Sequence, residues 1–131
     1  MRIKIDGLQE DSGKIRELLP VGRYKCQIVL AEEREKDEKL QLRITMQVAE
    51  GDFEGRKLFD TLSYPRSDMS EEGKKFCRAR IKNLTNASGI VVTEDGFETS
   101  DLMGRFIVAQ VGVQKGQDGV ERNNIQEYFV P

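Results

Sequence analysis

The sequence predicts a small, mainly β domain: a five-stranded barrel with one helix, in the order strand-strand-strand-helix-strand-strand. Three observations predict it. Three of five strand-like stretches, the first, second and fourth, alternate apolar and polar residues with the period of a half-buried strand; glycine-bounded turns join the second stretch to the third and the fourth to the fifth; and one helical pattern falls between the third and the fourth. At 131 residues, with no Pro/Gly-rich linker and no shift in composition, the chain reads as a single domain over 1–131.

The first 20 residues are an extension ahead of the strands, and Ile15, Leu18 and Leu19 are expected to dock it on the barrel, since exposing all three together is costly. Pro20 and Gly22 then punctuate the start of a first strand, about Val21 to Glu33, in which Tyr24, Cys26, Ile28 and Leu30 alternate with Arg23, Lys25 and Gln27. The run Glu32-Glu33-Arg34-Glu35-Lys36-Asp37-Glu38 is too polar to bury and reads as a strand end plus a mobile first loop. Leu40, Leu42, Ile44, Met46 and Val48 against Gln41, Arg43, Thr45 and Gln47 make the cleanest strand of the chain. Gly51-Asp52-Phe53-Glu54-Gly55 has the composition of a hairpin loop, and a third strand from about Arg56 to Tyr64 stops at Pro65.

The helix begins at Asp68 or Ser70 as cap, with Glu71 completing a capping box from Asp68 and both Glu71 and Glu72 suiting the positive end of the dipole. Phe76, Cys77, Arg80, Ile81, Leu84 and Ala87 recur at helical spacing and form the expected inward face, while Lys74, Lys75, Arg78 and Lys82 lie largely elsewhere; Asn86, Ser88 and Gly89 end it. Between Ile90 and Gly104 the pattern is weaker: Val91 and Val92 are candidates for brief pairing, Asp95-Gly96 for a turn, and Ser100 to Gly104 for one capped turn. Ile107, Ala109, Val111 and Val113 alternate with Phe106, Val108, Gln110 and Gln114 in the fourth strand; Gly116-Gln117-Asp118-Gly119 turns the chain into the fifth, about Val120 to Val130. This element order is that of an OB-fold, a partly open five-stranded Greek-key barrel with a helix between its third and fourth strands.

Composition narrows the chemistry. With 0 histidines there is no Ser-His-Asp or Cys-His nucleophile system and the commonest metal ligand is missing. Cys26 and Cys77 stand far apart without a CxxC pattern and read as two small buried hydrophobes in a reducing compartment, the alternative being a disulfide between them that nothing else in the sequence supports. Asp37, Asp52, Asp60, Asp95, Asp101 and Asp118 mostly fall in turns or next to glycine, with no EF-hand spacing. No enzyme, cofactor or metal is therefore expected. No stretch has the length of a membrane span and the start lacks a secretory signal, so a cytoplasmic protein with no membrane partner is expected.

The formal net charge of -2 is not that of a strongly basic nucleic-acid binder, but the charge is uneven. Gly55 to Lys82 holds eight basic residues against four acidic ones, a balance of +4 that leaves -6 for the rest. A basic middle in an acidic chain points to one polyanion-facing region; the plain alternative is that the helix lysines are a solvated face.

Leu19-Pro20-Val21-Gly22-Arg23-Tyr24 leading into Ile28 and Ala31-Glu32, then Gly51 through Asp60, the basic helix, and Asp101-Leu102-Met103-Gly104-Arg105, resemble a family of phage-encoded single-stranded DNA-binding proteins from replication and recombination modules. The likeness spans roughly Leu19 to Val130 and rests on turns and strand starts. It implies an OB-fold, single-stranded DNA as ligand, phage or host replication and recombination proteins as partners, and the host cytoplasm as compartment. Many replication-type binders carry an acidic tail; here Tyr128-Phe129-Val130-Pro131 reads as strand.

Single-strand binding on a barrel needs cations for phosphates and exposed rings for bases on one face. Arg43 on the second strand and Lys57 on the third are the leading cations. Phe59 is the candidate stacking ring if Leu58 and Leu62 point inward; a bulge would instead put Phe59 in the core. Tyr64 and Arg66, where the third strand ends, are a candidate stacking and phosphate pair, although a tyrosine closing the core is equally ordinary. Lys25, beside Arg23, on the first strand and Lys115 in the last turn extend the track, and Arg122, Asn123 and Asn124 add hydrogen-bonding capacity, unless the asparagines satisfy backbone groups. The expected function is binding single-stranded DNA with little sequence preference, with homo-oligomers compatible; the alternative is an OB-fold adaptor for protein partners of a phage replication complex.

Overall fold

The computed structural model describes residues 17–131. It contains β1 (Gly22–Lys36), β2 (Lys39–Val48), β3 (Lys57–Ser63), α1 (Glu71–Ser88), β4 (Phe106–Lys115) and β5 (Glu121–Phe129), with a single 3-10 turn at Thr99–Asp101. The order of elements is the expected one. All five strands form one antiparallel sheet in the spatial order β3-β2-β1-β4-β5, so the long β1 is central and pairs with β2 over most of its length and with β4 through Gly22 to Gln27.

The charged run from Glu32 to Glu38 is not a loop. It continues β1, pairs residue by residue with β2 as far as Lys36 opposite Lys39, and turns at Asp37 and Glu38, which both adopt positive φ, 53° and 64°. The physical reason is that every β1 side chain from Glu32 to Lys36 is exposed, so this stretch needs only β2 as a backbone partner and no apolar alternation.

Leu42, Ile44, Met46 and Val48 of β2 and Leu58 and Leu62 of β3 point inward with Cys26, Ile28 and Ala31 of β1 and Ile107, Ala109 and Val111 of β4. Val29, an extra residue between Ile28 and Leu30, is a bulge in β1 that bends it and leaves Leu30 on the outer face opposite Thr45. α1 closes one end of the core through Leu84 and Ala87, and Leu102 plugs beneath β1 from the turn after the helix. Ser70 is the N-cap: its hydroxyl accepts from the Gly73 amide at 3.0 Å, while Asp68 pairs with Arg66 and forms no capping box. Gly89 ends the helix at φ 77°, a left-handed conformation that suits glycine.

Phe76 departs from its expected inward place. It is 67% exposed, because Cys77 takes the core-facing position and a neighbour one residue away is rotated about 100° around the helix. Val91 and Val92 do not pair; the bridge in that segment joins Thr93 to Gly96. Cys26 and Cys77 are free and buried. Of the residues expected to dock the extension, Leu19 is buried, Leu18 stays partly exposed, and Ile15 lies outside the described residues.

The sheet is not closed by hydrogen bonding, because no ladder among the described residues joins its two edges, β3 and β5. Side chains bridge them instead. The Tyr128 hydroxyl of β5 donates to Asp60 Oδ2 of β3 at 2.5 Å, and Arg80 of α1 reaches the same oxygen at 2.7 Å. At the other end of the seam Arg56 donates to the Glu17 carbonyl at 2.6 Å, and Asn123 exchanges two hydrogen bonds with the Leu19 backbone, at 2.9 and 3.0 Å. Asp60 therefore follows Arg56 on one edge as Tyr128 follows Asn123 on the other, so the two edges run in the same direction.

Candidate nucleic-acid interface

On β2, and on β1 to either side of its bulge, inward residues alternate with outward ones; the outward ones share a face, and the register sorts them into rows. One row runs Lys57–Gln47–Gln27–Phe106 across β3, β2, β1 and β4. The next holds Phe59, Thr45 and Leu30, and a third holds Thr61, Arg43 and Glu32. Phe59 is 61% exposed, so the leucines do face the core and the ring stands outward beside Lys57. An outward phenylalanine forgoes about 1.5–3 kcal/mol of burial, which a stacked base returns at about 1–3 kcal/mol.

Lys57 and Phe59 also open onto the seam. With Arg56, Leu18 and residues Val120 to Asn123 they line a cleft of about 590 Å³. Arg122 thus lines the same cleft as Lys57 and Phe59 from the opposite sheet edge. Its guanidinium grips Asp118 in the β4–β5 turn at 2.8 and 3.3 Å, and that contact holds the Asp118 carboxyl down at about 2. On the other side of Phe59, Arg43 lines a second recess of about 260 Å³ with Gln41, Thr61, Arg34 and Lys36. Glu32, the β1 neighbour of Arg43, reduces the local positive potential, and Arg34 and Lys36 from the extended hairpin restore it.

Lys25 and Arg23 take part in a grouping that sequence reasoning missed. Lys25 Nζ lies 5.4 Å from the centre of the Phe106 ring, and the Arg23 guanidinium lies 4.0 Å above Phe129. Phe106 is 43% exposed and sits at the far end of the row that starts at Lys57, about 14 Å away at ~4.8 Å per strand. Only the pairing of β1 with β4 and of β4 with β5 brings these rings to the cations, and no local pattern carries that information.

The remaining candidates are placed differently. Tyr64 is not a free platform: its ring packs on the core, and burial with the neighbouring Glu33 carboxylate pushes the phenol up to about 12. Arg66, beyond the end of β3, is held by Asp68 at 3.0 Å. Lys115 stands exposed at the end of β4, opposite Glu121. Asn123 serves the Leu19 backbone, the plain alternative for the asparagines, and Asn124 donates to Gln114 at 3.4 Å.

Among the described residues no three Cys, Asp or Glu side chains gather as a metal site, and no helix is long and apolar enough to cross a membrane. No protein-family model matches the chain, and a search of curated proteins finds no match either.

Proposed function

We propose that this chain is a non-enzymatic OB-fold protein that binds single-stranded DNA with little sequence preference and protects it during phage replication or recombination. The observation that carries the reading is Phe59, an outward aromatic ring with Lys57 beside it, set between the seam cleft of Arg122 and the cationic recess of Arg43. Rings and cations on one face are what sequence-tolerant single-strand binding requires. Three features support the OB-fold: the strand order with β1 central, the helix between β3 and β4, and sheet edges that run in the same direction and meet through side chains. The outer rows offer glutamine, threonine and lysine rather than a fixed base-reading array, consistent with contacts to backbone and ring faces.

Fluorescence anisotropy with a labelled oligothymidine at two salt concentrations tests the reading. Tight binding at low salt that weakens as salt rises is expected, and absence of binding at low salt, or binding indifferent to salt, would sink it. Lys57→Glu and Arg43→Glu are expected to weaken binding and to lower the log–log salt slope by about 0.7 for each phosphate that is no longer neutralised. Phe59→Ala is expected to weaken binding by about 1–3 kcal/mol with the melting temperature unchanged, since the ring is exposed.

A further inference from the structure

A second concave surface lies on the flank of α1 away from the β3 edge. The second half of the helix forms one wall, and the segment from Ile90 to Phe97 forms the other, enclosing about 450 Å³. The walls are built locally. Gly89, left-handed, folds the chain back along the helix, and reciprocal Thr93–Gly96 backbone hydrogen bonds of 3.1 and 2.9 Å fix the turn that carries Phe97. Ile81, Ile90 and Phe97 make a half-buried apolar floor, and Val92, half exposed, continues it outward to Val91, 81% exposed. A contiguous apolar surface of this kind is kept where something covers it.

The rim identifies the occupant's charge. Arg78 and Lys82, the charged side chains that line the groove, are one turn apart on the helix, and Lys75 extends the stripe by three residues. Like charges at this spacing weaken a helix by about 0.2–0.5 kcal/mol. Glu94, Asp95 and Glu98 of the neighbouring turn do not line the groove. An apolar floor beside cations that pair with no carboxylate among the described residues complements carboxylates interleaved with large apolar side chains. It does not suit a nucleic acid, which needs an exposed ring face to stack on, because Phe97 is half-buried and the other floor residues are aliphatic.

We propose that this groove docks an acidic, amphipathic peptide segment of a partner protein, with Ile81, Ile90, Val92 and Phe97 taking its apolar side chains and Arg78 and Lys82 pairing with its carboxylates. The site is separate from the outer rows around Phe59, so one molecule holds a single strand and a partner at once.

The test uses the full chain and two probes: a short labelled peptide alternating Asp and Glu with Leu, Ile and Phe, and labelled oligothymidine. The peptide is expected to bind, to bind more weakly as salt rises, and to lose at least about tenfold in affinity with Arg78→Glu plus Lys82→Glu and again with Val92→Asn. Both variants are expected to keep the wild-type melting temperature and oligothymidine affinity. A peptide that does not bind, or binds these variants as well as the wild type, overturns the proposal. So does displacement of the peptide by oligothymidine, which would assign the groove to the nucleic-acid path. Oligothymidine binding by the wild type is scored separately, so failure of the groove and failure of single-strand binding are distinguishable.

Discussion

At Asp60 a single carboxylate joins three elements. It lies in β3 with its side chain 11% exposed, accepts from Tyr128 of β5, and pairs with Arg80 of α1, itself 19% exposed. Burial pushes the Asp60 carboxyl up, and the Tyr128 hydroxyl, the Arg80 charge and the Thr61 amide only partly offset that rise. The sequence groups Asp60 with the turn aspartates, because nothing near it in the chain reveals the partners that make it structural. Replacing it leaves the Arg80 charge half-buried without its nearest counterion, and one Arg80 nitrogen already lacks a hydrogen-bond partner. Asp60→Asn is expected to destabilise at the lower end of about 3–5 kcal/mol, since Arg80 keeps some access to water. Tyr128→Phe removes one hydrogen bond to a charged acceptor and is expected to cost about 1.5–3 kcal/mol. Urea denaturation of both variants checks the order, and a larger effect in Tyr128→Phe would show that the ring hydroxyl, not the ion pair, holds the seam.

Among the elements, the β1–β2 hairpin shows where the sequence is legible and where it is not. From Gln41 to Val48 one face packs on the core and the other meets water, so the alternation that burial requires is written into the residues, and the outward placing of Arg43 follows. The same logic puts Lys57 and Phe59 outward on β3, since Leu58 and Leu62 must go in. From Glu32 onward no β1 side chain is buried, so burial leaves no mark on that strand and it looks like a charged loop. Phe76 fails for a related reason: on a helix the apolar stripe is broad, and a residue one position from Cys77 sits at its edge. The contributions of Arg122 at the seam and of Phe106 and Phe129 over β1 depend on strand neighbours far apart in sequence. The hairpin tip carries its own prediction. Glu38 sits at φ 64°, which costs a side-chain-bearing residue about 1–2 kcal/mol, while glycine there adds about 0.4–1 kcal/mol of unfolded-state entropy that folding must overcome. Glu38→Gly is therefore expected to raise stability by a few tenths to about 1 kcal/mol in thermal melts. A lower melting temperature would mean that the turn residues do not take left-handed conformations.

For the molecule as a whole, an open sheet whose edges are joined by side chains is only as durable as those bridges, and the chain's 3 tyrosines make that durability depend on alkaline pH. Burial raises Tyr24 above the usual phenol value of 10.0, raises Tyr64 to about 12 with help from Glu33, and holds Tyr128 well above 10.0 with help from Asp60. Ionising Tyr128 removes the proton donated to Asp60 and sets a second negative charge beside it, with Arg80 the nearby cation. A group whose pKa is raised on folding contributes stability that is complete below its unfolded value and is lost as pH climbs through the folded one. Stability is therefore expected to hold up to about pH 10 and to fall progressively above it, as Tyr64 titrates at about 12 and Tyr128 well above 10.0. Near-ultraviolet absorbance of tyrosinate, recorded with circular dichroism along an alkaline titration, checks this: phenol ionisation and unfolding should coincide, well above the pH at which free tyrosine titrates. Tyr128→Phe, less stable at neutral pH, should show a shallower alkaline decline because it lacks the main titrating bridge. Three phenols titrating normally near 10 while the sheet stays intact would mean that the seam is open to water and that the Asp60–Tyr128 bridge does not hold the two edges together.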